Sequence, residues 1–584
     1  MKKNDLYSKE EKLFQNKNKI YSAQSKKEII YSTDVRDFGQ VAKSVPCQDA
    51  CPAKTNIPGY IRAVYEKRYG RAYELNRIAN ILPGVLGRIC SRPCESACRH
   101  AESDNGLSVG ICHLKRSCAD MKPGSHRIIE GLYAPTEKKV AVIGSGPAGL
   151  AAAHSLAILG HKVVIFERME KPGGMLMYGI PEFRLPRDLL MLEIKNILRL
   201  GIELKTNKAV GSDISLTQMK KEYDAVIVAT GCVSPRKFDI PGEELENVHN
   251  GLDFMKAVNE GQKPFVGDKV VVIGAGFTAV DCARSAIRFG ASDVSINIRK
   301  TIEYMRIDET EKQEAEFEGI KTYSLIQPSK IIGDGNKVTA VEFKRTRMER
   351  TDTPPYRVSI PIENSQFIVH VDSVIAALGQ APDAAVVSGD LGGLDNVFAT
   401  GDFATGSSDV ISAIAGGRNC AKNIDEYLIG EKRKQVVVRL EKHDTTDRQR
   451  SYDFIDKVGM NTIDMKERIF KSTREVETGY SEDQAHEEAK RCYLCNLKYE
   501  IDPLACIYCS ACIDVAPKDC IKMIENIFVN SEGTYGRYEE TDDWNRVVSI
   551  AIDNANCIRC GQCLAVCPMD CISVTKTELI EIDT

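Results

Sequence analysis

Cysteine placement constrains this 584-residue chain more than any other feature. Of its 21 cysteines, seven lie between Cys47 and Cys118 and eleven between Cys492 and Cys571. Only Cys232, Cys282 and Cys420 stand in the long middle. The opening residues, MKKNDLYSKEEKLFQNKNK, contain no apolar segment of a secretory signal, so a cytoplasmic location is expected. Thiols stay reduced there, and tight groups read as metal ligands rather than disulfides. The middle three read as small buried hydrophobes.

The strongest spacing is Cys557-x2-Cys560-x2-Cys563-x3-Cys567-Pro568. Short turns between soft thiolates wrap an iron–sulfur cubane, and the fourth cysteine of such a run ligates the other cluster of a pair. The earlier run, Cys506-x2-Cys509-x2-Cys512, has Ala516-Pro517 where its fourth ligand belongs. By the crossed rule Cys506, Cys509, Cys512 and Cys567 form one set, and the Cys557 set lacks a ligand. Cys492-x2-Cys495 and Cys520 are the candidates to supply it; a three-iron cluster or a non-cysteine ligand are the alternatives. Cys520 and Cys571 occupy matching places after the prolines of the two half-repeats, a position that also suits packing.

At the other end, Cys47-x3-Cys51-Pro52 is followed about forty residues later by Cys90-x3-Cys94-x3-Cys98. A cluster held across a helical insert is expected, with zinc as the alternative occupant. Cys112 or His113 can complete a site; His113 is not taken as a ligand.

Between these poles the sequence shows two strand–turn–helix signals. Lys139-Val-Ala-Val-Ile leads into Gly144, Gly146, Pro147, Ala148 and Gly149, and a second strand ends in Glu167. Glycines at this spacing bring backbone against a pyrophosphate at a helix N-terminus, and the acid accepts from a ribose. Farther on, a strand ends in Gly401-Asp402, which suits a carboxylate reaching a flavin's ribityl chain or a helix cap. The second signal, Gly274, Gly276, Phe277, Thr278 and Ala279, is followed by a strand ending in Arg299-Lys300. A basic end pairs with a 2′-phosphate and favours NADP(H) over NAD(H), against the plainer reading of a solvated strand end. One acid-ended and one base-ended site imply FAD plus a nicotinamide. No C-x-x-C occurs between residues 130 and 430, so a redox dithiol is not available there.

The expected fold is therefore multidomain. A polar extension covers residues 1–45 and a helical iron–sulfur domain 46–125. An FAD domain spans 126–250 and 380–432, with a NAD(P)H domain inserted at 251–379; both are Rossmann-like α/β. A linker follows at 433–490, then an α+β ferredoxin-like domain at 491–584. A net charge of −4 gives no case for nucleic acid or an anionic membrane as partner, and no apolar run has the length of a span.

GGMLMYGIPEFRLP (173–186), VATG (228–231) and GDFATGSSDVISAIAGGR (401–418) resemble the glutamate synthase small subunit. They are similar also to the flavin subunit of NADH-dependent ferredoxin:NADP⁺ oxidoreductases and to the N-terminal part of dihydropyrimidine dehydrogenase. The resemblance covers roughly residues 45–430 and implies Gly174 and Arg184 as further FAD residues. It also implies two cysteines before Cys47 that are absent here, where the segment reads GQVAKSVPC. One complete N-terminal cluster is thus expected, and about three [4Fe–4S] clusters in all. The implied work is electron transfer between NAD(P)H, FAD and clusters, to or from ferredoxin or a partner subunit. An electron-bifurcating complex is one form of this by family analogy alone. No catalytic side chain is expected, because the hydride transfer is centred on the flavin. A glutamate synthase small subunit and a non-catalytic redox-sensing scaffold are the rivals.

Overall fold

Two five-stranded parallel sheets occupy the middle of the computed structural model. It describes residues 44–102, 106–124, 131–354, 356–383, 396–443, 446–470, 473–529 and 535–584. The extension expected over 1–45 lies outside the described residues except for its last two. In the first sheet Lys139–Ile143 is central, flanked by Lys162–Phe166 and Glu203–Lys205 on one side. Ala225–Val228 and Val397–Ala399 lie on the other. In the second, Lys269–Ile273 is central, flanked by Asp293–Asn297 and Lys321–Tyr323, and by Ser373–Ala376 and Val248–Asn250. The apolar runs Val140–Ile143 and Val270–Ile273 are buried on both faces, as parallel strands under helices must be.

The chain leaves the first sheet after Ala225–Val228 and returns to it at Val397–Ala399; the second sheet is built in between. An antiparallel sheet of Ile326–Asp334, Lys337–Arg350, Arg357–Pro361 and Phe367–His370 extends this second unit.

Residues 46–120 form short helices: Pro46–Ala50, Ile57–Tyr65, Tyr69–Arg77, Pro83–Ile89, Pro93–Ser96 and Ile111–Asp120. Four of these carry proline in the first turn, where no amide hydrogen is needed. Tyr60, Ile61, Val64, Leu82, Val85, Leu86 and Leu114 make their core.

The stretch 433–490, expected as a linker, is not one. Lys434–His443 pairs along its whole length with Ile572–Asp583, which also pairs with Leu497–Ile501. The β-branched run Val436-Val-Val438, followed by Arg439-Leu440, supplies a strand that a charge count hides. Farther on, Glu482–Lys490 is a helix with a Ser481/Gln484 capping box. It packs on the Ile57–Tyr65 helix, where His486 Nδ1 lies 2.8 Å from the Tyr65 carbonyl and the two rings stack. A second small sheet, of Tyr535–Glu540, Ile521–Val529 and Ser549–Ile552, completes the tail.

Candidate functional site

Each glycine turn follows the central strand of its sheet. Gly144 has φ +103°, and a Cβ there would lie 2.6 Å from the Ala229 carbonyl oxygen; Gly274 repeats this against Ala377 at 2.4 Å. Gly146 and Gly276 instead face open space, leaving room for a ligand to approach the backbone. The Pro147–Ile158 and Phe277–Arg288 helices start at these turns, with Ala148, Thr278 and Ala279 in their first turns.

At the first turn Glu167 accepts from Ser145 N at 3.0 Å, Ser145 Oγ at 2.6 Å and Met169 N at 2.8 Å. Its carboxylate is thereby fixed at the end of its strand. Gly174 approaches Gly146, and Gly401 approaches Ala148, so the distant 401–402 segment reaches the same turn. The Thr230 hydroxyl oxygen, next to Gly144, is buried without a hydrogen-bond partner among the described residues. An unpaired buried hydroxyl beside an open backbone turn fits a bound dinucleotide.

Arg184 departs from its expected place. Its guanidinium grips Asp281 through both carboxylate oxygens, at 2.8 and 2.9 Å, and Glu311 at 2.5 Å. Those acids belong to the second nucleotide unit, so Arg184 ties the units together rather than facing the first turn. Its neighbours Arg284 and Arg288 bind Glu318, and Arg468 binds Glu314.

At the second turn Arg299 is exposed and Lys300 half-buried over the Tyr304 ring. The Arg306 amide donates to Ala275 O at 2.8 Å, bringing a third exposed cation to the turn. None of the three side chains has a carboxylate partner among the described residues.

The thiols gather into four groups. Cys47 and Cys98 line one cavity together with Cys492 and Cys495. The last two therefore lie with the N-terminal helices and not with the tail run for which they and Cys520 are the candidates. The helix pairing of residues 482–490 carries them there. Cys51, Cys90, Cys94 and Cys112 form a second group around buried Lys115. Burial lowers the Lys115 pKa, but the thiols of Cys90, Cys112, Cys94 and Cys51 outweigh this and raise it. A hydrogen bond from Cys112 draws the Cys90 thiol below its ordinary range. The expected single N-terminal site thus becomes two sets of four. His113 is not in either; it pairs with the Tyr480 hydroxyl at 3.0 Å.

In the tail, Cys506, Cys509, Cys512, Cys567 and Cys571 line one cavity, the last two 3.4 Å apart. Cys557, Cys560 and Cys563 have Cys520 as neighbour, and a hydrogen bond from Cys520 lowers the Cys557 thiol. Cys520, one of the two candidates named for the place left by Ala516, is thus the one that lies beside this set. Among the described residues no three or more His, Cys, Asp or Glu side chains are drawn together as around one metal ion. In the two sets that line cavities the thiols surround a space. The thiols thus form four groups where about three clusters are expected. Cys118, Cys232, Cys282 and Cys420 are buried outside them.

Two nucleotide-type turns flanked by four thiol sets define a flavin- and iron–sulfur-dependent oxidoreductase. Residues 138–417 match the pyridine nucleotide-disulphide oxidoreductase model, 17–126 that of dihydropyrimidine dehydrogenase domain II with its 4Fe–4S cluster, and 505–574 the 4Fe–4S dicluster domain. The NADP(+)-dependent formate dehydrogenase subunit beta of Moorella thermoacetica is 33% identical over 502 residues, covering 77% of this chain and 70% of that protein. The NADPH-Fe(3+) oxidoreductase subunit beta of Geobacter sulfurreducens is 31% identical over 527 residues, covering 80% and 78%. The glutamate synthase [NADPH] small chain of Azospirillum brasilense is 33% identical, covering 68% and 89%. The chain belongs to the pyridine nucleotide-disulphide oxidoreductase family, with 4Fe–4S domains at both ends. Among the described residues no helix is long and apolar enough to cross a membrane.

Proposed function

We propose that this chain passes electrons between NADP(H) and a partner redox subunit or ferredoxin, by way of FAD and four [4Fe–4S] clusters. The observation that carries this is the order of the sites. Ser91, next to Cys90, donates to Asp409, which caps the Val410–Ile429 helix behind the first turn. The Cys51 set thus borders the flavin side. Arg448 bridges the Cys492 carbonyl at 3.2 Å and the Ile558 carbonyl at 2.8 Å, joining the Cys47 set to the Cys557 set. The last set ends at exposed Cys509, which shares its cavity with exposed Ile507 and Met569.

A flavin supplies the conversion between a two-electron hydride and the single electrons that clusters carry. Gly144, Gly146, Pro147, Ala148, Gly149 and Gly174 cradle its pyrophosphate, Glu167 its ribose, and Gly401 and Asp402 the ribityl end. Gly274, Gly276, Phe277, Thr278 and Ala279 receive the nicotinamide dinucleotide, and Arg299 and Lys300 its 2′-phosphate, with Arg306 alongside. Lys115 offsets the negative charge of the thiolates around it. The names of two relatives, the formate dehydrogenase and Fe(3+) oxidoreductase subunits, support a role inside a complex. The glutamate synthase reading is weaker, since that relative leaves about a third of this chain unmatched.

The test is an anaerobic titration of the cluster-loaded protein with NADPH and, separately, NADH, following flavin absorbance and cluster EPR together. NADPH is expected to bleach the flavin and raise cluster signals. If neither nucleotide bleaches a loaded flavin, the enzyme reading fails.

A further inference from the structure

We propose that Cys47, Cys98, Cys492 and Cys495 jointly hold one [4Fe–4S] cluster, so that a single cofactor is ligated from opposite ends of the chain. This rests on the iron–sulfur reading above and specifies it. The N-terminal domain offers only two thiols to this cavity, and the segment after residue 480 offers the other two. Neither side alone can hold a cubane, which needs four ligands.

The cavity walls suit such a group. Pro46, Ile57, Ile61, Val109 and Ile111 are apolar, and about 370 Å³ free of protein atoms, part of it open to solvent, lies among the residues that line it. His100 Nε2 belongs to a lining residue and is buried without a hydrogen-bond partner among the described residues.

The approach of the two halves is fixed independently of any cofactor. Glu488 is fully buried and accepts from Gly110 N at 2.7 Å and Val458 N at 2.8 Å. Arg491, next to Cys492, binds Glu488 at 2.6 Å, Leu107 O at 2.6 Å, Ser108 O at 3.1 Å and Ile455 O at 3.0 Å. A buried ion pair with every donor satisfied positions a segment more than it stabilises it. What it positions here is Cys492-x2-Cys495 against Cys98, which lies just before the 107–110 loop. The site also stands between the Cys51 set and the Cys557 set. One electron enters and one leaves, with no bond made and no proton moved.

The test compares iron and acid-labile sulfide in the reconstituted full chain with those in C492S/C495S, C47S/C98S and the quadruple variant. Each double variant is expected to lose about a quarter of the iron, and the quadruple variant no more than either, because one cluster is shared. C506S should remove a different quarter, additive with the first. Flavin content retained in each variant shows that the nucleotide domains are folded. On the wild-type chain itself, stepwise chelation followed by alkylation should expose Cys47, Cys98, Cys492 and Cys495 together, which needs no substitution. Additive losses from the two double variants would overturn the proposal, as would full iron in C492S/C495S, a bound zinc in its place, or separate alkylation of the two pairs. A wild-type chain that takes up no cluster overturns the proposed function as well, so the two failures are distinguishable.

Discussion

At the first glycine turn the chain closes over itself. Ser145 and Met169 hold Glu167, Gly174 presses on Gly146, and Gly401 returns from far along the sequence to meet Ala148. At the second turn, which also follows the central strand of a parallel sheet, Arg299, Lys300 and Arg306 stand without carboxylate partners among the described residues. The first arrangement suits a ligand held through many turnovers, the second one that enters and leaves. The third position of each turn carries the contrast to a single atom. A Cβ at Gly149 would lie 2.0 Å from the Gly144 carbonyl oxygen, whereas the second unit accommodates Ala279, fully buried, at the same place.

The largest expected effect follows from that atom. Gly149→Ala cannot keep the helix against the turn, and purified protein should retain less than about a tenth of the wild-type flavin absorbance per chain. The reciprocal Ala279→Gly should leave flavin content unchanged and cost about 1 kcal/mol of helix propensity. Equal flavin retention in both would break the comparison.

A second difference lies in how the units are anchored. The second unit receives Arg184 of the first at Asp281 and Glu311, and within it buried Glu318 binds Arg284 and Arg288. Burial raises the pKa of this carboxyl, but the hydrogen bond from Arg288 and the charge of Arg284 overcome that and hold it at about 2. A pKa lowered on folding gives stability that is complete above the unfolded value and lost as pH falls through the folded one. That contribution should therefore fade between about pH 5 and pH 2. Glu318→Gln leaves Arg284 and Arg288 short of a charge and should cost about 3–5 kcal/mol near neutral pH, read by denaturant unfolding. The gap between variant and wild type should narrow as pH falls through this window. A gap that is constant with pH would mean that shape, not charge, holds Glu318 against the Phe277–Arg288 helix.

Sequence spacing made both turns legible, because each needs contiguous residues: strand, glycines, helix, then an acid or base at the next strand end. The runs of Cys506 and Cys557 were legible for the same reason. Contacts between distant segments were not. Nothing in the local sequence tells that Glu488 and Arg491 dock on residues 107–110, so Cys492 and Cys495 were read with their sequence neighbours in the tail. Arg184 was misplaced likewise, since its partners Asp281 and Glu311 lie about a hundred residues away. Cys112 and Cys520 were each visible as candidates, but a lone cysteine acquires a role only when the fold brings it to a group.

The smallest effect sharpens the comparison at the second turn. Replacing Arg299 and Lys300 together by glutamate reverses two charges at an exposed strand end while leaving the Arg299 carbonyl, which accepts from Thr346 at 2.7 Å, in place. The fold should therefore survive, with flavin and iron content unchanged. KM for NADPH should rise about tenfold or more, equivalent to at least about 1.4 kcal/mol, while kcat stays within about twofold. KM for NADH, which lacks the 2′-phosphate, should change less than about threefold. Solvent screens such exposed charges, so the NADPH effect should shrink as ionic strength rises. A parallel loss for both nucleotides would locate the residues in general dinucleotide binding, and the base-ended turn would then differ from the acid-ended one in openness alone.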